Sequence, residues 1–115
     1  MITSIKNAEH YKWGENCDGW HLLNSGSLSI IEEKMPPGTA EQYHFHKKAQ
    51  QVFYVLNGPA TFEIEGEIIT VQDRESIHIP PLTRHRIINQ SLDEIRFVVI
   101  SEPKAHGDRE NVVLS

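Results

Sequence analysis

The chain has 115 residues, enough for one domain that buries roughly two-thirds of its unfolded surface without staples. Its lone cysteine, Cys17, cannot form an internal bridge, and sixteen acidic against eleven basic residues give a formal net charge of -5, which disfavours a secreted disulfide scaffold and a nucleic-acid partner. No apolar run approaches the ~20 residues of a membrane span and the N-terminus lacks a signal-peptide pattern, so a soluble cytoplasmic protein is expected.

Taken in chain order, residues 1–26 read as an N-terminal arm, with Asn16-Cys17-Asp18-Gly19 as a turn between Trp13 and Trp20. Ser27 to Glu33 is the first clear strand, ended by the turn Lys34-Met35-Pro36-Pro37-Gly38. The β-branched and aromatic run Gln51 to Leu56 closes on Asn57-Gly58, a hairpin signal. Ala60 to Glu65 and Glu67 to Val71 flank Gly66 as a second hairpin. Ser76 to Ile79, Thr83 to Ile88 and Glu94 to Ser101 complete the strands, and residues 104–115 form a polar C-terminal tail ending in Val112-Val113-Leu114, which can pair as an edge strand or lie on a partner subunit. At least six short strands with tight turns need closure or face-to-face packing to protect their edges, which predicts an all-β barrel or two-sheet sandwich.

The sharpest chemical feature is Tyr43-His44-Phe45-His46. The strand period of two puts His44 and His46 on one face, where two imidazoles can converge on one ion at ~2.0–2.1 Å. Neutral imidazoles suit iron, nickel, copper or zinc. A polar face on an exposed strand would show the same short pattern.

The wider spacing adds a resemblance. Gly38-x5-His44-x-His46-x4-Gln51-x6-Gly58 resembles the first motif of the cupin superfamily, with Gln51 where cupins usually carry Glu, and Pro80-x4-His85-x3-Asn89 resembles the second. The resemblance covers residues 38 to 89. It implies a single cupin domain over residues 1–115 with a jelly-roll or double-stranded β-helix barrel. It also implies one divalent transition metal (Fe, Mn, Ni, Zn or Cu) held by His44, His46, His85 and Gln51, and a homodimer on which the N-terminal arm and C-terminal tail pack.

Three departures from the motifs carry expectations. Gln51 is a neutral ligand, so the ion keeps its full positive charge and binds less tightly than with a carboxylate. Gln51 also lies an odd number of residues from His46, which requires a bend at Lys47-Lys48-Ala49-Gln50, with Gln50 as the alternative ligand. Arg74 and Leu82 stand at usual glycine positions, so the turn Pro80-Pro81-Leu82-Thr83 is expected to avoid positive φ at Leu82. Glu75, where Asp is common, reads as a turn cap.

Phe53, Val55, Phe62, Ile64, Ile77, Ile79, Ile87, Phe97 and Val99 are the expected core, each worth roughly 1.5–3 kcal/mol when buried. His78 alternates outward, and His10, His21 and His106 read as surface residues, with His21 bordering a pocket mouth. The acid–base pool is Glu41, Glu63, Tyr43, Tyr54, Arg96 and His21. The expected function is a metal-dependent enzyme of oxygenase, isomerase or lyase type acting on a small organic molecule, with the oxygenase lean coming from the resemblance. The alternative is a non-catalytic module that binds a small molecule or sugar acid. The two differ in one feature: a catalyst needs an acid–base side chain near the metal's open position.

Overall fold

The structure, a computed structural model, describes residues 1–113. Eleven strands run through them: β1 Glu9–Trp13, β2 Cys17–Asn24, β3 Ser29–Met35, β4 His44–His46, β5 Gln50–Asn57, β6 Ala60–Ile64, β7 Glu67–Val71, β8 Ser76–Ile79, β9 His85–Ile88, β10 Ile95–Glu102 and β11 Arg109–Asn111. All pairings are antiparallel. One sheet has the order β1-β2-β3-β10-β5-β8 and the other β11-β4-β9-β6-β7. The non-consecutive neighbours are those of a jelly roll, in which two sheets face each other across one core. No helix long and apolar enough to cross a membrane occurs among the described residues.

Alternation along β10 shows how the sequence builds this core. Ile95, Phe97, Val99 and Ser101 are buried, and the residues between them are half-buried on the outer face. Phe53, Val55, Phe62, Ile79, Ile87, Phe97 and Val99 are buried as expected, while Ile64 and Ile77 pack on the rim. Phe53 sits edge-on to Phe62 at 5.1 Å between ring centroids and tilted to Phe97 at 5.8 Å, joining the two sheets.

Four local expectations are corrected. Residues 1–26 are not a detached arm: β1 and β2 extend the chain's own six-stranded sheet, and Asn16-Cys17-Asp18-Gly19 is not the turn. Cys17 pairs with Trp13, and the chain reverses over Gly14 (φ +52°), Glu15 and Asn16 (φ +65°). Asn57-Gly58 does not close a hairpin, because β5 belongs to the six-stranded sheet and β6 to the five-stranded one. The Gly58 N–H donates to Asp73 Oδ1 at 2.6 Å, and Pro59 follows, so the segment carries the chain from one sheet to the other. The hairpin at Gly66 is present, with positive φ at both Glu65 and Gly66, the pairing a two-residue turn of the I′ kind needs.

At the other end, Arg109–Asn111 pairs with β4 of the same chain and the Val112 N–H donates to the Tyr43 carbonyl at 2.8 Å; Leu114 lies outside the described residues. The fourth correction concerns Leu82, which adopts φ +66° although its side chain is bulky. Its N–H donates to the His46 carbonyl at 2.7 Å, and that bond holds the turn in the left-handed region. Arg74 does the same at φ +64°, with its N–H on the Val55 carbonyl at 2.7 Å. Glu75 caps this turn by accepting from the Gln72 N–H at 2.8 Å.

Candidate metal centre

β4 and β9 are neighbours, and His44 lies directly opposite His85 across them. With His46 two residues on, three buried imidazoles share one inner face, each offering a ring nitrogen within 4.8 Å of the others. Each Nδ1 is occupied by a backbone carbonyl: His44 by Gln42 at 2.7 Å, His85 by Thr83 at 2.9 Å and His46 by Asp108 at 2.8 Å. A ring nitrogen on a carbonyl carries the proton, which leaves the lone pair on Nε2. The Nε2 atoms of His46 and His85 are buried with no partner. Burial lowers the pKa of His44 to about 3 and of His85 to about 4, so both rings stay neutral at physiological pH.

Gln51 faces them from the opposite sheet. The chain bends after His46, as the odd spacing requires, and β5 begins at Gln50. Gln51 is buried beside its cross-strand neighbour Ser101; Nε2 donates to Ser101 Oγ at 3.0 Å, and Oε1 is buried without a partner in the same chamber. Gln50 points outward, its amide joined to Glu102 and His78. Unpartnered buried acceptors are costly in a protein interior. Here two imidazole nitrogens and one amide oxygen are left so, and a divalent cation is a partner each can take, with the three histidines within reach of one ion. The donor set present therefore fits the ion that the motif spacing implies.

The chamber has a volume of about 150 Å³ and an acidic end that the sequence did not disclose. Glu33 on β3 projects inward in register with Ser29, Ile31 and Met35. Tyr11, Gly19 and Glu33 are consecutive cross-strand partners on β1, β2 and β3. A Cβ on residue 19 would collide with the Tyr11 ring, so glycine there lets the phenol cross β2 and donate to Glu33 Oε2 at 2.9 Å. Glu41 lies in the same chamber, 3.8 Å from His44 Nδ1 and 3.6 Å from the Arg109 guanidinium, with its Oε1 unpartnered. Desolvation, then the charge of Glu41, pushes Glu33 up to about 8. Desolvation also raises Glu41, against the pull of Arg109, and burial raises the Tyr11 phenol above its usual range.

Of the acid–base pool, only Glu41 lines the chamber. Glu63 pairs with Arg86 at 2.7 Å, Arg96 pairs with Glu32 and Glu94 over the Trp20 ring, and Tyr54 is exposed. His78 is exposed, and His10 is bound to Asp18 at 2.6 Å. His21 does border the chamber: its ring lies 5.0 Å from Tyr11 and 5.6 Å from His106, both lining residues. The missed residues were Tyr11, Glu33 and Arg109. A carboxylate in the inward register of a core strand, opposite a strand glycine, was the available signal for Glu33.

Comparison with known proteins agrees with this architecture. A family profile described as Cupin domain matches residues 31–101. The polyketide synthase CurC of Streptomyces cyaneus is 30% identical over 87 residues, 70% of this chain and 56% of that protein. The tetracenomycin polyketide synthase protein TcmJ of Streptomyces glaucescens is 29% identical over 94 residues, 76% of this chain and 62% of that protein. The chain thus spans less than two thirds of the length of either relative. Among solved structures, the polyketide cyclase RemF of Streptomyces resistomycificus superposes with a TM-score of 0.81 over 100% of this chain and 88% of its own, at 20% identity, a likeness of fold. The chain belongs to the cupin family.

Proposed function

We propose that this cupin is a metal-dependent enzyme that moves protons on a small keto- or hydroxyl-bearing carbon skeleton, a reaction of the lyase, isomerase or cyclase kind. The observation that carries the reading is the coexistence, in one chamber, of His44 and the unpartnered ligand atoms of His46 and Gln51 with the acid cluster Tyr11, Glu33 and Glu41. A module that only binds has no use for two carboxyls whose pKa burial raises, since their charged forms cost folding free energy at neutral pH. The names of the polyketide relatives point to the same chemistry, since ring closure of a polyketone proceeds by proton removal beside a carbonyl and loss of water.

His44, His46, His85 and Gln51 would hold a divalent ion, which would supply Lewis acidity toward a substrate oxygen. The chain's own groups handle the protons. Glu41, with Oε1 unpartnered, is the base that accepts a proton from carbon. Glu33, neutral up to about pH 8, is the acid that returns a proton to a departing or newly formed hydroxyl, and the Tyr11 phenol holds it in place. Arg109 keeps Glu41 ionised more readily than burial alone would allow. Phe53, Val99 and Ile31 line the remaining wall and limit water around the reacting atoms. The proposal places the protein in the cytoplasm, where Cys17 stays a buried thiol, and takes it to work as a homodimer; a 13.2 kDa species in sedimentation at micromolar concentration would refute the dimer.

The test is exchange of carbon-bound protons of an aryl β-diketone in deuterated buffer, followed by proton NMR with the metal-loaded protein. Wild type accelerates exchange and Glu41→Gln loses it by about 100-fold or more, as expected for a general base. Saturable binding of the diketone with no acceleration by wild type would replace the enzyme reading with the binding one.

A further inference from the structure

The three histidines are not held alike. His44 and His85 each place Nδ1 on the carbonyl two residues earlier in their own segment, Gln42 and Thr83. His46 instead uses the carbonyl of Asp108, 62 residues later in the chain. The Asp108 side chain explains why that carbonyl stays in place. Its carboxylate accepts from three successive backbone N–H groups in the loop after His46: Lys47 at 3.2 Å on Oδ1, and Lys48 at 2.8 Å and Ala49 at 2.9 Å on Oδ2. Three convergent amides form a nest suited to an anion. The segment thereby fastened contributes Ala105, His106, Gly107 and Arg109 to the chamber wall. Beyond it, β11 pairs with β4, Arg109 opposite His46.

We propose that Asp108 is a positioning residue that makes the segment 104–111 a latch on His46, so that metal affinity and closure of the chamber rise and fall together. This rests on the metal-dependent reading above. This segment forms one wall of the chamber, so its release opens that wall, and when Asp108 leaves its nest His46 loses the bond that orients its ring. The other two histidines keep theirs. Coupling of this kind is reciprocal: an ion bound through His46 must tighten the latch by the factor by which the latch tightens the ion.

Two measurements test this, with Co(II) as the probe metal. The first is Co(II) affinity by competition titration, together with the ligand-field spectrum of the bound ion, for wild type, Asp108→Ala, Asp108→Asn and Glu110→Gln. Asp108→Ala is expected to bind about 10- to 100-fold more weakly with an altered spectrum, the usual cost of losing an outer-shell partner. Asp108→Asn, which keeps an accepting oxygen, recovers part of the loss. Glu110→Gln removes only the exposed pair with Lys47 at 2.8 Å and stays within about twofold of wild type by the small worth of such pairs. Wild-type affinity in Asp108→Ala, or an equal loss in Glu110→Gln, would overturn the latch.

The second measurement is amide hydrogen exchange at Lys47, Lys48 and Ala49 in wild type, with and without Co(II), and needs no variant to fold. Exchange slowed by the metal supports the coupling; unchanged exchange at saturating metal overturns it. Failure of wild type to bind Co(II) at all would strike the metal-dependent reading instead, and is distinguished from failure of the latch by that first titration.

Discussion

The two ends of the chamber are built by opposite means. At the histidine end every Nδ1 is satisfied by a carbonyl, the rings of His44 and His85 are neutral by burial, and the free lone pairs of His46 and His85 point at nothing in the protein. At the acid end, desolvation raises the pKa of both Glu33 and Glu41, the charge of Glu41 adds to the shift of Glu33, and the Tyr11 phenol and the Arg109 guanidinium act against it. One end is a ready cation site that costs unpartnered acceptors; the other holds carboxyls whose charged form burial disfavours, a cost that a proton or a nearby cation relieves. The comparison teaches that the chamber is polarised before any ligand arrives: electron-pair donors on one side, a proton held against its usual tendency on the other.

The largest expected effect breaks the acid end. Glu33 titrates near 8 in the fold against 4.5 unperturbed, a raised carboxyl. Below about pH 4.5 both folded and unfolded chains hold the proton and no penalty exists; as pH rises through this window toward 8 the unfolded chain releases it first and the fold loses stability. Glu33→Gln removes the titration and keeps an acceptor for Tyr11. In metal-free protein the variant should match wild type near pH 4.5 and exceed it above pH 8 by on the order of 2–4 kcal/mol in urea unfolding. A gap that does not change with pH would show that the fold does not penalise the charged Glu33 carboxyl.

The next effect sharpens the histidine end. Gln51→Glu replaces a neutral oxygen by a charged one beside the histidines, and Zn(II) or Ni(II) affinity measured by competition titration should rise by at least about tenfold, some 1.4 kcal/mol. In metal-free protein the same change places a carboxylate where Gln51 is buried on Ser101, so unfolding becomes easier by about 1–3 kcal/mol. An unchanged affinity would remove Gln51 from the ligand set and leave three histidines.

Legibility in the sequence divides along the same line. The histidine end was readable because strand alternation puts His44 and His46 together and the second motif supplies His85, so local period and spacing carry the information. The acid end depends on pairing across three strands that the sequence does not announce. Tyr11 reaches Glu33 only because β1, β2 and β3 are adjacent and residue 19 has no Cβ, and β1 and β2 looked like an arm. The latch is less legible still, since Asp108 and His46 are 62 residues apart in the chain. Asn57-Gly58 misled for a related reason: turn chemistry marks where a chain reverses or leaves, and not which sheet receives it.

The smallest expected effect lies just outside the histidine end and concerns the turn Pro80-Pro81-Leu82-Thr83, where the sequence predicts no positive φ at Leu82. A non-glycine residue in the left-handed region carries a steric cost of roughly 1–2 kcal/mol, which led to the expectation that Leu82 would avoid it. The structure accepts that cost at φ +66°, where the Leu82 N–H holds the His46 carbonyl at 2.7 Å. The Leu82 side chain is 63% exposed, so little apolar burial compensates. Leu82→Gly should keep the N–H bond, lose little packing and shed the strain, with part of the gain returned as glycine's greater unfolded-chain entropy of about 0.5–1 kcal/mol. The net is a stabilisation of up to about 1 kcal/mol in chemical denaturation, with metal affinity unchanged because the bond to His46 is made by backbone atoms. A loss of metal affinity without a loss of stability would mean that the leucine side chain itself steadies the histidine end, and the polarised chamber would then extend one turn further than its lining shows.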